Sequence, residues 1–139
     1  MPITFRVIEE DCYFIAEWTG PITDEDLLSA YRDFFAGDEW LPGLNELADL
    51  SAADLSAVST AALKKLAVLI EGTYTKSGVA AMKCAAYTPA DLSFGLLRMY
   101  EVFCDHSPET TKAFRDRRAA EAWLIEQGNG PPPADAGEG

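Results

Sequence analysis

An α/β fold on a mixed five-stranded sheet is what this chain predicts, and three features carry the prediction. Two apolar alternations near the start face each other across a polar turn. Apolar residues then recur at helical spacing four times, and short strand-like segments separate those helical stretches. The resulting order, β-β-α-β-α-β-α-β-α, implies right-handed crossovers between the parallel members of the sheet.

Residues 3–8 place Ile3, Phe5 and Val7 on one face, and residues 12–19 set Cys12, Phe14, Ala16 and Trp18 against Tyr13, Ile15, Glu17 and Thr19. Period two on both sides of Glu9-Glu10-Asp11 predicts an antiparallel hairpin, which Gly20-Pro21 ends. Thr23 then reads as an N-cap, with Asp24, Glu25 and Asp26 where the helix dipole favours negative charge. Leu27, Tyr31 and Phe34 give that helix its apolar stripe, and Gly37 stops it. A loop carrying Trp40 leads to a third strand at residues 47–50. A second helix, from Ser59 or Thr60 to Thr73, buries Leu63, Leu66, Ala67 and Ile70. Residues 81–87 form a fourth strand of small side chains, and Thr88-Pro89-Ala90-Asp91 starts a third helix running to Asp105. A fifth strand at residues 112–115 and a last helix, capped by Asp116 and ending near Gln127, complete the domain. Residues 1–127 are therefore read as one domain, with 128–139 (GNGPPPADAGEG) as a disordered tail that has nothing to bury.

At 139 residues, 48% apolar and 24% charged, the chain has the size and composition of one folded domain. The net charge of −12 is uneven: residues 1–60 hold 13 acids and only two bases, Arg6 and Arg32. Such a surface repels nucleic-acid phosphates and anionic lipid heads. No apolar run exceeds five residues, which predicts no transmembrane segment, and the alternating N-terminus does not read as an export signal. Three widely spaced cysteines, Cys12, Cys84 and Cys104, suit reduced, mostly buried thiols in the cytoplasm better than a disulfide framework or a metal knuckle.

The element order and three local patterns resemble the SpoIIAA-like superfamily, which groups STAS domains with Sec14-type lipid-binding domains. The patterns are LADLS (47–51), DLSFGLLRMYE (91–101) and AFRDRRAAEAWL (113–124). The resemblance implies helices packed chiefly on one face of the sheet. It also implies a comparison with the phosphorylated serine of anti-sigma factor antagonists, which opens the helix after the third strand. Aligned on Leu63, Thr60 falls at that place, with Ser59 standing for an aspartate and Ala62 for a glycine. Ser59 and Thr60 are thus candidate phosphoacceptors, although both residue types are also ordinary helix caps.

Phe94, Gly95, Leu97 and Arg98 form a second candidate site. A mid-helix glycine costs about 1 kcal/mol relative to alanine, which predicts close approach of a strand or a ligand there. Leu92, Leu96, Met99, Tyr100 and Phe103 supply the helix's apolar face, so Phe94 and Leu97 remain for a ligand or an interface, with Trp40 as a further candidate. His106, beside Asp105, reads as a C-terminal cap. There is no phosphate-binding glycine motif and no recognisable nucleophile–base pair. The expectation is a non-enzymatic interaction or regulatory module, without cofactor or metal, that meets a protein partner or a second copy. The alternative is a binder of a small apolar or lipid-like ligand. Both rest on an interior filled by apolar side chains alone.

Overall fold

The computed structural model describes residues 2–105 and 107–126; the expected tail and His106 lie outside them. The elements are β1 (Ile3–Ile8), β2 (Tyr13–Pro21), α1 (Asp24–Ala36), β3 (Asn45–Asp54), α2 (Thr60–Lys76), β4 (Met82–Tyr87), α3 (Asp91–Phe103), β5 (Glu109–Phe114) and α4 (Arg117–Glu126). The sheet runs in sequence order, β1-β2-β3-β4-β5. Only β1 and β2 are antiparallel, and every later neighbour is parallel.

That strand order fixes where the helices go. Each crossover from β2 onward moves one strand further in the same direction, so right-handed connections place α1, α2 and α3 on one face. The main core lies there, with Phe14, Leu27, Tyr31, Leu50, Leu66, Ile70 and Tyr100 among its buried members. The chain leaves β5 at the sheet's edge with no further strand to join. Helix α4 folds under the opposite face, where Ala120 and Leu124 cover Ile15, Leu47 and Ala85. Three helices on one face and one on the other is the expected arrangement.

Local signals explain the element starts. Thr23 Oγ1 accepts from the Asp26 amide at 3.0 Å while Asp26 Oδ2 accepts from the Thr23 amide at 3.1 Å, a reciprocal capping box. Ser59 caps α2 by accepting from the Ala62 amide at 3.0 Å. Asp116 caps α4, its Oδ2 accepting from the Ala119 amide. Helix α3 departs from expectation: it begins at Asp91 after Ala90, with no side-chain cap. The Thr88 hydroxyl is spent earlier, accepting from the Ala90 amide at 3.2 Å. Strands β3 and β5 both begin before the segments that their apolar residues marked.

The interior has two unlike ends. Toward β1, β2 and α1 it is aromatic: Phe5 stacks on Phe34 at 4.2 Å between centroids and meets Tyr31 edge-on at 5.1 Å. Trp40 stacks on Tyr74 at 5.7 Å and is buried, so it is a core residue and not an exposed contact point. Toward the sheet centre the inward residues of β3 and β4 are small, Ala48, Cys84 and Ala86, and the packing there is incomplete.

A buried carboxyl and thiol pocket

Small side chains at the middle of a sheet leave space beneath the helices, and here the space is a cavity of about 30 Å³. That is room for roughly two waters. Leu63, Leu66 and Ile70 of α2 and Leu97 of α3 form its roof, and Trp18 and Tyr31 close one side. The floor is polar, for a reason of parity. In β3 the residues sharing a face with Ala48 and Leu50 include Glu46; in β5 Glu109 shares the face of Thr111. Glu46 lies opposite Cys84, and Cys84 opposite Thr111, across β3, β4 and β5. The expectation of an interior filled by apolar side chains alone is therefore corrected: Glu46, Cys84 and Glu109 converge on one point, 2%, 4% and 2% exposed.

Each carboxyl is held by phenols. Tyr31 donates its hydroxyl to Glu46 Oε2 at 2.6 Å and accepts from Trp18 Nε1 at 3.3 Å. Tyr100 Oη donates to Glu109 Oε1 at 3.4 Å, and the Cys104 thiol donates to the same oxygen at 3.5 Å. Cys84 and Thr111 stand close enough to Glu109 to ease its ionisation, yet among the described residues no donor meets Glu109 Oε2 in hydrogen-bonding geometry. A carboxylate stripped of water is costly, and the cost shows as proton affinity. Burial, reinforced by the charge of Glu109, pushes Glu46 up to about 8. Burial pushes Glu109 up to about 7. Burial likewise drives the Cys84 thiol well up and Cys104 up to about 12, so neither is a ready thiolate.

The residues singled out from the sequence mostly lie elsewhere. Leu97 is buried in the pocket roof. Phe94 lies outside it under the Arg115 guanidinium, 4.2 Å from the ring centroid, and Arg115 also pairs with Asp91 at 2.7 Å. Arg98 is exposed and pairs with Glu101 at 3.3 Å. Gly95 faces open space, with nothing within 4 Å of where a Cβ would stand, which corrects the close approach predicted for it. The buried stripe of α3 runs through Ser93, Leu97 and Tyr100, while Leu92 and Met99, expected inside, are exposed.

Ser59 and Thr60 sit at the exposed start of α2. Asp24 of α1 accepts from both the Ser59 amide at 2.8 Å and its hydroxyl at 2.7 Å, and these bonds hold the Asp24 carboxyl below its ordinary range. Thr60 Oγ1 instead faces Met99 Sδ at 3.8 Å. Of the thiols expected inside, Cys84 and Cys104 are buried, whereas Cys12 is exposed in a left-handed turn at φ 58°. All three are free. Among the described residues no helix is long and apolar enough to cross a membrane.

No family model and no curated protein matches the chain. A solved structure does: an uncharacterised protein of the DUF3478 family with a SpoIIAA-like fold, from Shewanella loihica PV-4. It shares 21% identity over 88% of this chain and 91% of its own, with a TM-score of 0.56. With the sheet order and helix placement above, that likeness establishes that this chain has a SpoIIAA-like fold.

Proposed function

We propose that the chain is a non-enzymatic binding and regulatory module of the cytoplasm whose functional centre is the Glu46–Cys84–Glu109 pocket. One observation carries this reading: Glu109 Oε2 is fully buried, lacks a hydrogen-bond partner among the described residues and borders a void. A buried acceptor left bare costs on the order of 1–3 kcal/mol, so a guest that supplies a donor or a positive charge is favoured there. The size of the void suits a compact guest rather than an acyl chain. The Cys84 thiol, whose burial holds its proton in place, favours holding over nucleophilic turnover. Free thiols, two of them buried beside the acids, suit a reducing compartment. Native mass spectrometry of the full chain purified from cells tests the reading. Added mass that disappears in Glu109→Gln supports it; bare chain mass in both proteins defeats it.

A second reading, contact with a protein partner or a second copy, has its own support. Leu92, Met99 and Val102 are exposed along α3, and Val68 is 69% exposed on the stripe of α2 that continues from Thr60 and Lys64, both of which touch α3. Light scattering of the native chain and of Val102→Glu separates the two readings. A strict monomer in both cases removes self-association.

A further inference from the structure

The pocket's donors are chemically mixed, and the mixture narrows the guest. Glu46, Cys84 and Glu109 come from three neighbouring strands, and one oxygen from each carboxyl and the thiol sulfur all lie within 4.8 Å of one another. Two carboxylates and a thiolate around a tetrahedral zinc ion stand about 3.3–3.6 Å apart. Side-chain rotation of about 1 Å closes the difference, and the adjoining void supplies the space. From this geometry we infer that Glu46, Cys84 and Glu109 bind one divalent transition-metal ion of the zinc class, with the void holding the fourth position. The inference rests on the pocket reading above and names its guest.

An acid cluster alone does not make a site. Here a buried oxygen without a partner among the described residues, Glu109 Oε2, is available to a cation. The outer contacts fit the same role. Tyr31 donates to Glu46 Oε2, and Tyr100 and Cys104 donate to Glu109 Oε1. Each carboxyl thus has one oxygen oriented by a donor, as the outer partners of metal carboxylates commonly do. A sulfur donor and so few oxygens disfavour calcium and magnesium, which need six or more oxygens or several waters. Two carboxylates disfavour monovalent copper, which prefers sulfur throughout. Binding exchanges protons for the dication: each ligating carboxyl and the thiol releases its proton to solvent as the bond to metal forms.

The test uses the full chain stripped with a chelator and titrated with cobalt(II), then with zinc(II) in competition. The expected result is one equivalent of cobalt with a thiolate-to-metal charge-transfer band, displaced by one equivalent of zinc. Cys84→Ser abolishes the band, and Glu109→Gln lowers affinity by more than the about 10–100-fold expected for an outer-shell change. Circular dichroism and thermal melts in chelator show whether each variant is folded. If either is not, Tyr31→Phe decides: the inference requires its affinity to fall by about 10–100-fold with the band retained, and unchanged affinity overturns it. A missing band in the native chain, or a band that survives Cys84→Ser because cobalt sits at exposed Cys12, also overturns it. An organic adduct in native mass spectrometry without cobalt binding defeats the metal while sparing the pocket. Neither adduct nor cobalt defeats both.

Discussion

Raising the pH from about 5 to about 8 destabilises the metal-free chain, the reverse of the usual response of carboxylates. Paired surface acids favour the native state as they ionise; these two do the opposite. Glu46 moves from its ordinary value of 4.5 to about 8, and Glu109 from 4.5 to about 7. The titratable groups facing them are Tyr31 from α1, Tyr74 from α2, Tyr100 from α3, Cys104 just beyond its end, and Cys84 from β4. Lys83, the neighbour of Cys84, points to the other face, where its Nζ donates to the Trp123 carbonyl at 3.0 Å. The native state therefore keeps protons that the unfolded chain gives up. The stabilisation is whole below about pH 4.5 and is lost as pH rises through the folded values. At about 1.4 kcal/mol for each unit by which a carboxyl is raised, the two together put several kcal/mol at stake. A whole domain has about 5–15 kcal/mol. Urea melts at pH 5, 6, 7 and 8 in chelator should show the midpoint falling at each step. Glu109→Gln should fall less steeply and be the more stable protein at pH 8. A flat midpoint across this range, or an unchanged slope in the variant, refutes the reasoning.

Three further substitutions test separate parts of the structure. Gly95→Ala meets no neighbour and lies in a helix interior, so it should stabilise the chain by about 0.5–1 kcal/mol in urea melts; a loss of stability restores the idea that something packs against that backbone. Ser59→Ala removes the α2 cap and the hydroxyl's link to Asp24 and should cost about 1 kcal/mol, with a smaller effect in acid than at neutral pH because Asp24 must be ionised to accept. Leu97→Ala opens the roof of a void that already exists and should cost about 2–4 kcal/mol; a cost below 1 kcal/mol would mean that the roof collapses and that the pocket is not held by its frame.

Much of the architecture was legible because strands and helices here differ in period. The hairpin alternation put Phe14 and Ile15 on opposite faces, where they are. The α2 stripe through Leu63, Leu66 and Ile70 is the buried one. The segment DLSFGLLRMYEVF was harder, since apolar residues lie almost all round it and spacing cannot choose a face. The choice was made by tertiary partners: Tyr100 and Cys104 turn inward to reach Glu109. The pocket was hidden by strand boundaries. Reading β3 from residue 47 and β5 from residue 112 starts just after Glu46 and three residues after Glu109, and a charged residue at a strand's start reads as solvated. The available signal was parity. Glu46 falls in step with Ala48 and Leu50, and Glu109 with Thr111 and Ala113, once each strand is extended backward. Cys84 carried no such signal, because a thiol in a strand of alanines looks like any small apolar residue.

The two ends of the interior explain how the chain tolerates this pocket. At the aromatic end Phe5, Phe34 and Tyr31 meet at centroid distances of 4.2 and 5.1 Å, and Tyr31 ties that end to the sheet centre through Glu46. The polar end has small residues, a void and two acids that ionise only against their surroundings. Filling that end with leucine-sized side chains would remove the void and the desolvation cost together, as replacing buried charges by apolar residues often stabilises proteins. A guest reaches a similar end by another route. It takes the place of the protons, satisfies Glu109 Oε2 and binds the folded state alone, so its affinity adds to stability by mass action. The bound chain must then lose less stability than the free chain as pH rises, because the guest competes with fewer protons. Parallel melting curves for the free and zinc-loaded proteins from pH 6 to pH 8 would show that the guest sits somewhere other than on these acids.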